Sequence, residues 1–180
     1  GDVEQGFKDC DVVVEGRCEI AGQEHLYLET QRARATPAEG ARMVISTSSQ
    51  SPYAVQKAAA RILGVASHMV EVDVRRLGGG FGGKEDQATA WACIAALAAR
   101  LTNRPVQLVL DRVDDLPLTG KRHPFQTDYR IGFDENGQIL GAQIHLFSDG
   151  GAFADLSTSV LERAMLHSDN AYYLPVAEIK

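Results

Sequence analysis

Eight consecutive residues concentrate the chemistry open to this chain: Gly78-Gly79-Gly80-Phe81-Gly82-Gly83-Lys84-Glu85. Five glycines around one aromatic let the backbone adopt positive φ and let another group approach its N–H donors closely. The run follows an alternating stretch, Val70 to Arg75, and precedes a long apolar helical pattern, so it joins a strand to a helix. Anion and cofactor sites form at such junctions, because the first N–H groups of a helix are unpaired and carry partial positive charge. By spacing alone, Gly78 followed by four residues and Gly83-Lys84 reads as the P-loop pattern G-x-x-x-x-G-K. Asp111, after the apolar run Val106 to Leu110, stands where such an enzyme keeps a magnesium-binding aspartate. Glu85 argues against it: a P-loop needs a serine or threonine hydroxyl there, and a carboxylate would repel phosphate. Gly78, Gly80 and Gly83 also fit the dinucleotide pattern G-x-G-x-x-G, but Asn103 and Arg104 stand where an acidic residue should end the second strand. A third reading has the glycines serve only tight packing of helix on sheet.

Other polar residues offer weaker patterns. Glu24 and His25 are neighbours, so on an extended chain their side chains point to opposite sides and do not converge on a metal. His68, His123, His145 and His167 are scattered without partner spacing and read as structural or solvated. Asp111-Arg112 reads as an ion pair or loop anchor, and Asp111, Asp114 and Asp115 as a solvated acidic face. Cys10, Cys18 and Cys93 have no metal-ligand spacing, which points to reduced thiols in a cytoplasmic protein, with Cys93 a small core residue.

The elements that must position the glycine run follow from periodicity. Residues 11 to 20 and 42 to 46 are expected strands, the second leading through Thr47-Ser48-Ser49-Gln50 into a helix begun by Pro52, capped by Ser51 and ended by Gly64. Val55, Ala58, Ala59, Ile62 and Leu63 share one face of that helix. After the glycines a helix from about Glu85 to Leu101 is expected to bury Trp91, Ile94, Leu97, Ala98 and Leu101, with alanines allowing close approach to a sheet. Val106 to Leu110 is a buried strand, Arg112 to Pro124 a series of turns, and Asp134-Glu135-Asn136-Gly137 the turn of a hairpin. Leu156 to His167 reads as a short helix. Both polar strand-to-helix loops can then meet at one edge of the sheet.

This order predicts a two-layer domain of one sheet with two helices on one face, over residues 1–112, and periodicity allows that sheet to be parallel or mixed. Residues 113–180 are expected to hold connecting turns and the start of a second, similar domain. A net charge of −6 gives no general attraction to nucleic acid or an anionic membrane, and the longest apolar run is too short to span a bilayer. The last residues, Pro175 to Lys180, look like a strand beginning, so the chain is expected to be a piece of a longer protein that does not turn over alone.

The glycine run, together with Gly22 to Glu29, Leu110-Asp111-Arg112, Thr119 to Phe125 and Glu162-Arg163-Ala164, resembles the molybdopterin-binding subunit of the molybdenum hydroxylases, the xanthine oxidase and aldehyde oxidase family. The resemblance extends over nearly the whole chain and implies an α+β fold in which that sheet is mixed. It implies a molybdenum-molybdopterin cofactor here, with 2Fe-2S and FAD on other domains or subunits and the remainder of the molybdenum subunit as a partner. It places Gln50 where an uncharged amide hydrogen-bonds an oxygen ligand of molybdenum. Gly80, Phe81 and Gly82 line the same cofactor, with the N–H groups of Phe81 and Gly82 facing that oxygen and no side chain ligating the metal. Glu85 takes the position of a glutamate that hydrogen-bonds a purine and stabilises charge developing on its ring, which favours xanthine or hypoxanthine over an aldehyde. A carboxylate unsuited to phosphate suits the N–H groups of a purine. The Arg-Gly-Phe-Gly-Gly loop and the late general-base glutamate of the family have no counterpart in these residues. A P-loop-like nucleotide hydrolase and a non-catalytic assembly module stay open beside this reading.

Overall fold

The computed structural model describes residues 2–180. In chain order the elements are α1 (Val3–Lys8), β1 (Val12–Ile20), β2 (Arg32–Pro37), β3 (Met43–Thr47), α2 (Pro52–Leu63), a 3-10 turn (Ser67–Met69) and β4 (Val70–Asp73). Then come α3 (Gln87–Thr102), β5 (Val106–Val109), α4 (Arg112–Leu118), β6 (Phe125–Phe133), β7 (Ile139–Ser148), α5 (Ser157–Leu166) and β8 (Val176–Ile179). They fall into two units. One is Glu24–Arg122, and the other combines the described part of Gly1–Gln23 with His123–Lys180.

The unit Glu24–Arg122 has a four-stranded sheet in the order β4-β3-β2-β5. β2 runs antiparallel to both β3 and β5, while β3 and β4 are parallel, with Met43 opposite Val70 and Ser46 opposite Asp73. A parallel neighbour requires a crossover, and α2 supplies it. Alternation along β2 buries Ala33 and Ala35 and leaves Arg32 and Arg34 exposed. On the buried side the core joins Ala33, Ala35, Met43 and Ile45 to Val55 and Ala59 of α2 and to Ala92, Ala96 and Ala99 of α3. This is the expected α+β arrangement of a mixed sheet with two helices packed on it.

The orientation of α3 differs from expectation. Its buried residues are Ala88, Ala92, Cys93, Ala95, Ala96 and Ala99, whereas Ile94 is 51 % exposed and Leu101 78 %. A face of methyl-sized side chains lets the helix lie against the small residues of β2, and the bulky face is turned away. Ile62 of α2 is likewise exposed. Gly64 ends α2 in the left-handed conformation, as its position implied, but the Ser51 side chain makes no capping hydrogen bond.

The second unit has a sheet ordered β1-β6-β7-β8, with β1–β6 and β6–β7 antiparallel and β7–β8 parallel. The hairpin turn forms at the expected place. Asp134 Oδ1 accepts from Asn136 N–H (2.9 Å) and Gln138 N–H (2.8 Å), and Gly137 has φ +80°. α1 buries Val3 and Phe7, and α5 occupies the expected Leu156–His167 segment. The division of the chain differs from the expected boundary at residue 112. All nine residues of β1 pair with β6, so the N-terminal strand belongs to the same unit as the C-terminal part. Residues 112–118 are helical rather than a series of turns, and they remain with the first unit.

Candidate functional site

β3 and β4 are adjacent and parallel, so the segments that leave their C-terminal ends, 48–51 and 74–86, start from the same edge of the sheet. The backbone joins them there. Gln50 N–H donates to Lys84 O (2.8 Å), and Ser49 Oγ–H donates to the same carbonyl (3.3 Å). The Gln50 side chain closes the arrangement from the other side: its Oε1 accepts from Gly82 N–H (3.0 Å) and Lys84 N–H (3.2 Å). Two N–H donors at one atom identify that atom as the oxygen, so Nε2 with its two hydrogens is the end left over. Nε2 makes no hydrogen bond among the described residues. The site therefore presents an uncharged, preoriented donor at an exposed edge.

The glycines make this contact sterically feasible. A Cβ on Gly80 would lie 2.4 Å from Gln50 Oε1, and one on Gly83 would lie 2.8 Å from His25 Nδ1 and 2.9 Å from the Tyr27 ring. Between them Phe81 has φ +55° and is 73 % exposed. A left-handed non-glycine residue costs roughly 1–2 kcal/mol, so the surrounding contacts must hold it. The Phe81 N–H has no partner among the described residues. The Gly82 N–H does not face outward as the resemblance implied, because Gln50 Oε1 takes it. Glu85 follows in the bend before α3, half-buried, and its carboxylate accepts no hydrogen bond and forms no ion pair among the described residues.

Beneath the loop lies a polar cluster that periodicity does not announce. Lys84 is 0 % exposed. Its Nζ donates to Glu29 O (2.6 Å) and Ser48 Oγ (2.6 Å), lies 3.8 Å from Glu29 Oε2, and sits 4.5 Å above the Tyr27 ring. Ser48 Oγ–H and Gly78 N–H each donate to Glu29 Oε2 at 2.8 Å. Burial would raise the Glu29 carboxyl, but hydrogen bonds from Gly78 and Ser48 and the charges of Lys84 and Arg32 outweigh it and hold the group below its ordinary value. Burial also lowers Lys84, against the opposing pull of Glu29 and Asp115. Asp115, expected on a solvated face, is instead fully buried: it accepts from Tyr27 O–H (2.7 Å) and Gln31 N–H (2.7 Å). Gln31 Nε2 in turn donates to Gly83 O (2.8 Å), which connects Asp115 to the loop. Burial, with the Asp115 carboxylate beside it, pushes the Tyr27 phenol up to about 12. Arg112 anchors a loop as expected, donating to the carbonyls of Tyr27 and Leu28.

The P-loop reading fails on this geometry. Its lysine would have to extend outward to phosphate, and Lys84 is turned inward and enclosed. Among the described residues no three His, Cys, Asp or Glu side chains are placed to hold a metal ion, and Glu24 pairs with Lys121 (2.8 Å). No described helix is long and apolar enough to cross a membrane. What the site offers is a set of neutral donors on a bare glycine edge, Gln50 Nε2 and Phe81 N–H, with a carboxylate acceptor four residues beyond Phe81. That donor set fits an oxygen ligand of an organic metal cofactor, with Gly80 leaving room for the Gln50 amide that supplies one of the donors.

A family profile described as the molybdopterin cofactor-binding domain matches residues 1–180. Over 175 residues the chain is 46 % identical to a xanthine dehydrogenase of Calliphora vicina, covering 97 % of this chain and 13 % of that protein. It is 45 % identical over 176 residues to a xanthine dehydrogenase/oxidase of Rattus norvegicus, with 97 % and 13 % covered. The chain thus spans 13 % of the length of these curated relatives. The solved aldehyde oxidoreductase of Desulfovibrio gigas superposes with a TM-score of 0.90 over 99 % of this chain and 20 % of that one, at 22 % identity. Reconstituted CO dehydrogenase from Oligotropha carboxidovorans gives 0.83 over 98 % and 22 %, also at 22 % identity. At such identities these structures speak for the fold alone.

Proposed function

The chain belongs to the molybdopterin cofactor-binding domain family, and on that footing we propose that it serves as part of the molybdenum subunit of a purine dehydrogenase. The observation that carries the proposal is the Gln50 amide, whose oxygen is occupied by two loop N–H groups while its Nε2 donors remain available beside Gly80 and Phe81. When bound, the molybdenum cofactor supplies the two-electron oxidation and the oxygen that hydroxylates an electron-poor ring carbon.

The chain's own residues bind and orient. Gln50 Nε2 and Phe81 N–H donate to the cofactor's oxygen without adding charge, and both are held before any substrate arrives, so no reorganisation is needed. Gly80 leaves room for the Gln50 amide to take that position. Gly82 orients Gln50 through Oε1 rather than touching the cofactor. Glu85 accepts an N–H of the purine and stabilises charge that develops on its ring. The proposal includes 2Fe-2S and FAD on other domains or subunits as onward electron carriers, the rest of the molybdenum subunit as a structural partner, and a cytoplasmic setting in purine metabolism. Support for the purine comes from Glu85 and from the xanthine dehydrogenases among the relatives.

The test is Glu85→Ala in the complete enzyme. Loss of a hydrogen bond to a charged group corresponds to about 1.5–3 kcal/mol, hence roughly a 10- to 150-fold lower kcat/KM for xanthine. Molybdenum content should be unchanged. Xanthine kinetics equal to the parent's would remove Glu85 from the substrate site.

A further inference from the structure

Lys84 has no role in the site just proposed, although its main chain makes three of the hydrogen bonds that join the two loops. Its carbonyl accepts from Gln50 N–H and Ser49 Oγ–H, and its N–H donates to Gln50 Oε1. Gln50 is exposed, and the two N–H groups that hold its Oε1 belong to the glycine run. The side chain of Lys84 ties that run to the interior. It enters the interior and ends on three oxygens, Glu29 O, Ser48 Oγ and Glu29 Oε2, over the face of Tyr27. Ser48 lies two residues before Gln50, so the ammonium grips the same segment from below that the Lys84 main chain grips from above. Glu29 closes the circuit through Gly78 N–H (2.8 Å) and Gly78 O, which accepts from Glu29 N–H (3.0 Å).

We infer that Lys84 is a positioning residue: its buried ammonium, paired with Glu29, fixes both ends of the glycine loop and thereby sets which way the Gln50 amide faces. The inference rests on the reading of Gln50 as the cofactor-facing donor. A buried ammonium with several close oxygen partners is costly to remove from one side only, because the remaining carboxylate loses its counter-charge and the carbonyl its donor. A neutral chain of similar length fills the space but supplies no donor to Glu29 O or Ser48 Oγ. Without that donor the main chain of residue 84 is free to drift, and Gln50 Oε1 loses the pair of N–H groups that define its orientation.

The experiment is Lys84→Met in the full polypeptide that carries this chain, prepared without cofactor and followed by amide hydrogen exchange. Gly82 and residue 84 should exchange about tenfold or more faster, while amides of β2 and β3 keep their parent rates. An unchanged loop, or equal acceleration in loop and sheet, would overturn the positioning role, the second result meaning general destabilisation only. If Lys84→Met does not fold, Glu29→Gln/Lys84→Met removes both buried charges and is read by the same two outcomes. In the loaded enzyme the variant should lower kcat with KM for xanthine near the parent value. Exchange in the cofactor-free protein responds whether or not the molybdopterin reading holds, whereas failure of that reading shows as absence of cofactor from the parent protein itself.

Discussion

Asp115→Ala tests the buried cluster under the loop most directly. The Asp115 carboxylate accepts from Tyr27 O–H and Gln31 N–H, both at 2.7 Å, and all three residues are fully buried. Truncation leaves a phenol and a backbone N–H without that acceptor in a site that water does not reach. Each orphaned donor costs about 1–3 kcal/mol, and relief of the buried carboxylate returns part of it, so the expected net loss is roughly 2–4 kcal/mol. Trp91, the single tryptophan, lies on α3 in the same unit and reports urea unfolding of the chain by fluorescence. Tyr27→Phe should cost less, because it removes one donor and leaves the Gln31 bond intact. The double variant Tyr27→Phe/Asp115→Ala should be less damaging than the sum of the two by about 1 kcal/mol, since the orphaned phenol is gone. A loss below about 0.5 kcal/mol for Asp115→Ala would place it with ordinary surface substitutions and refute the argument.

Two further outcomes are expected. Because the folded state favours the neutral Tyr27 phenol, its contribution is fully present below the ordinary value of 10 and is lost as pH rises toward about 12; the difference corresponds to about 3 kcal/mol, and Tyr27→Phe should flatten this part of a stability-against-pH curve. Gly80→Ala would drive a methyl to 2.4 Å from Gln50 Oε1, so the amide must move and its two N–H bonds weaken. In the complete enzyme this substitution should reduce activity at least as much as Gln50→Ala, with the fold retained by circular dichroism, and parent-like turnover would show that the close approach is unimportant.

Much of the local structure is legible in the residues. Pro52 and Gly64 bracket α2, Asp134 to Gly137 turn the hairpin, and the alternation of Val70 to Asp73 into glycine marks the strand-loop-helix junction. Each depends on backbone preferences that act within a few residues. β2 escaped notice because its inward positions are alanines, which carry little strand preference, and its pairing with β3 and β5 rather than its own composition makes it a strand. α4 is masked by Pro117 and three aspartates in and before it.

The face of α3 also depended on context. Periodicity ranks leucine and isoleucine above alanine for burial, yet the small residues of β2 select the alanine face. The charge of Lys84 and Asp115 could be read from the chain, but not their burial, since the partners that make it tolerable are Glu29, Ser48, Tyr27 and Gln31, distant in sequence. By itself the sequence determined that a glycine-rich loop with a carboxylate at its end must precede a helix, and that this carboxylate disfavours phosphate. Only the tertiary structure decided which way Lys84 points and which atom of Gln50 remains free, because both follow from hydrogen bonds between segments distant in sequence: the loops after β3 and β4, and the Glu29 segment before β2.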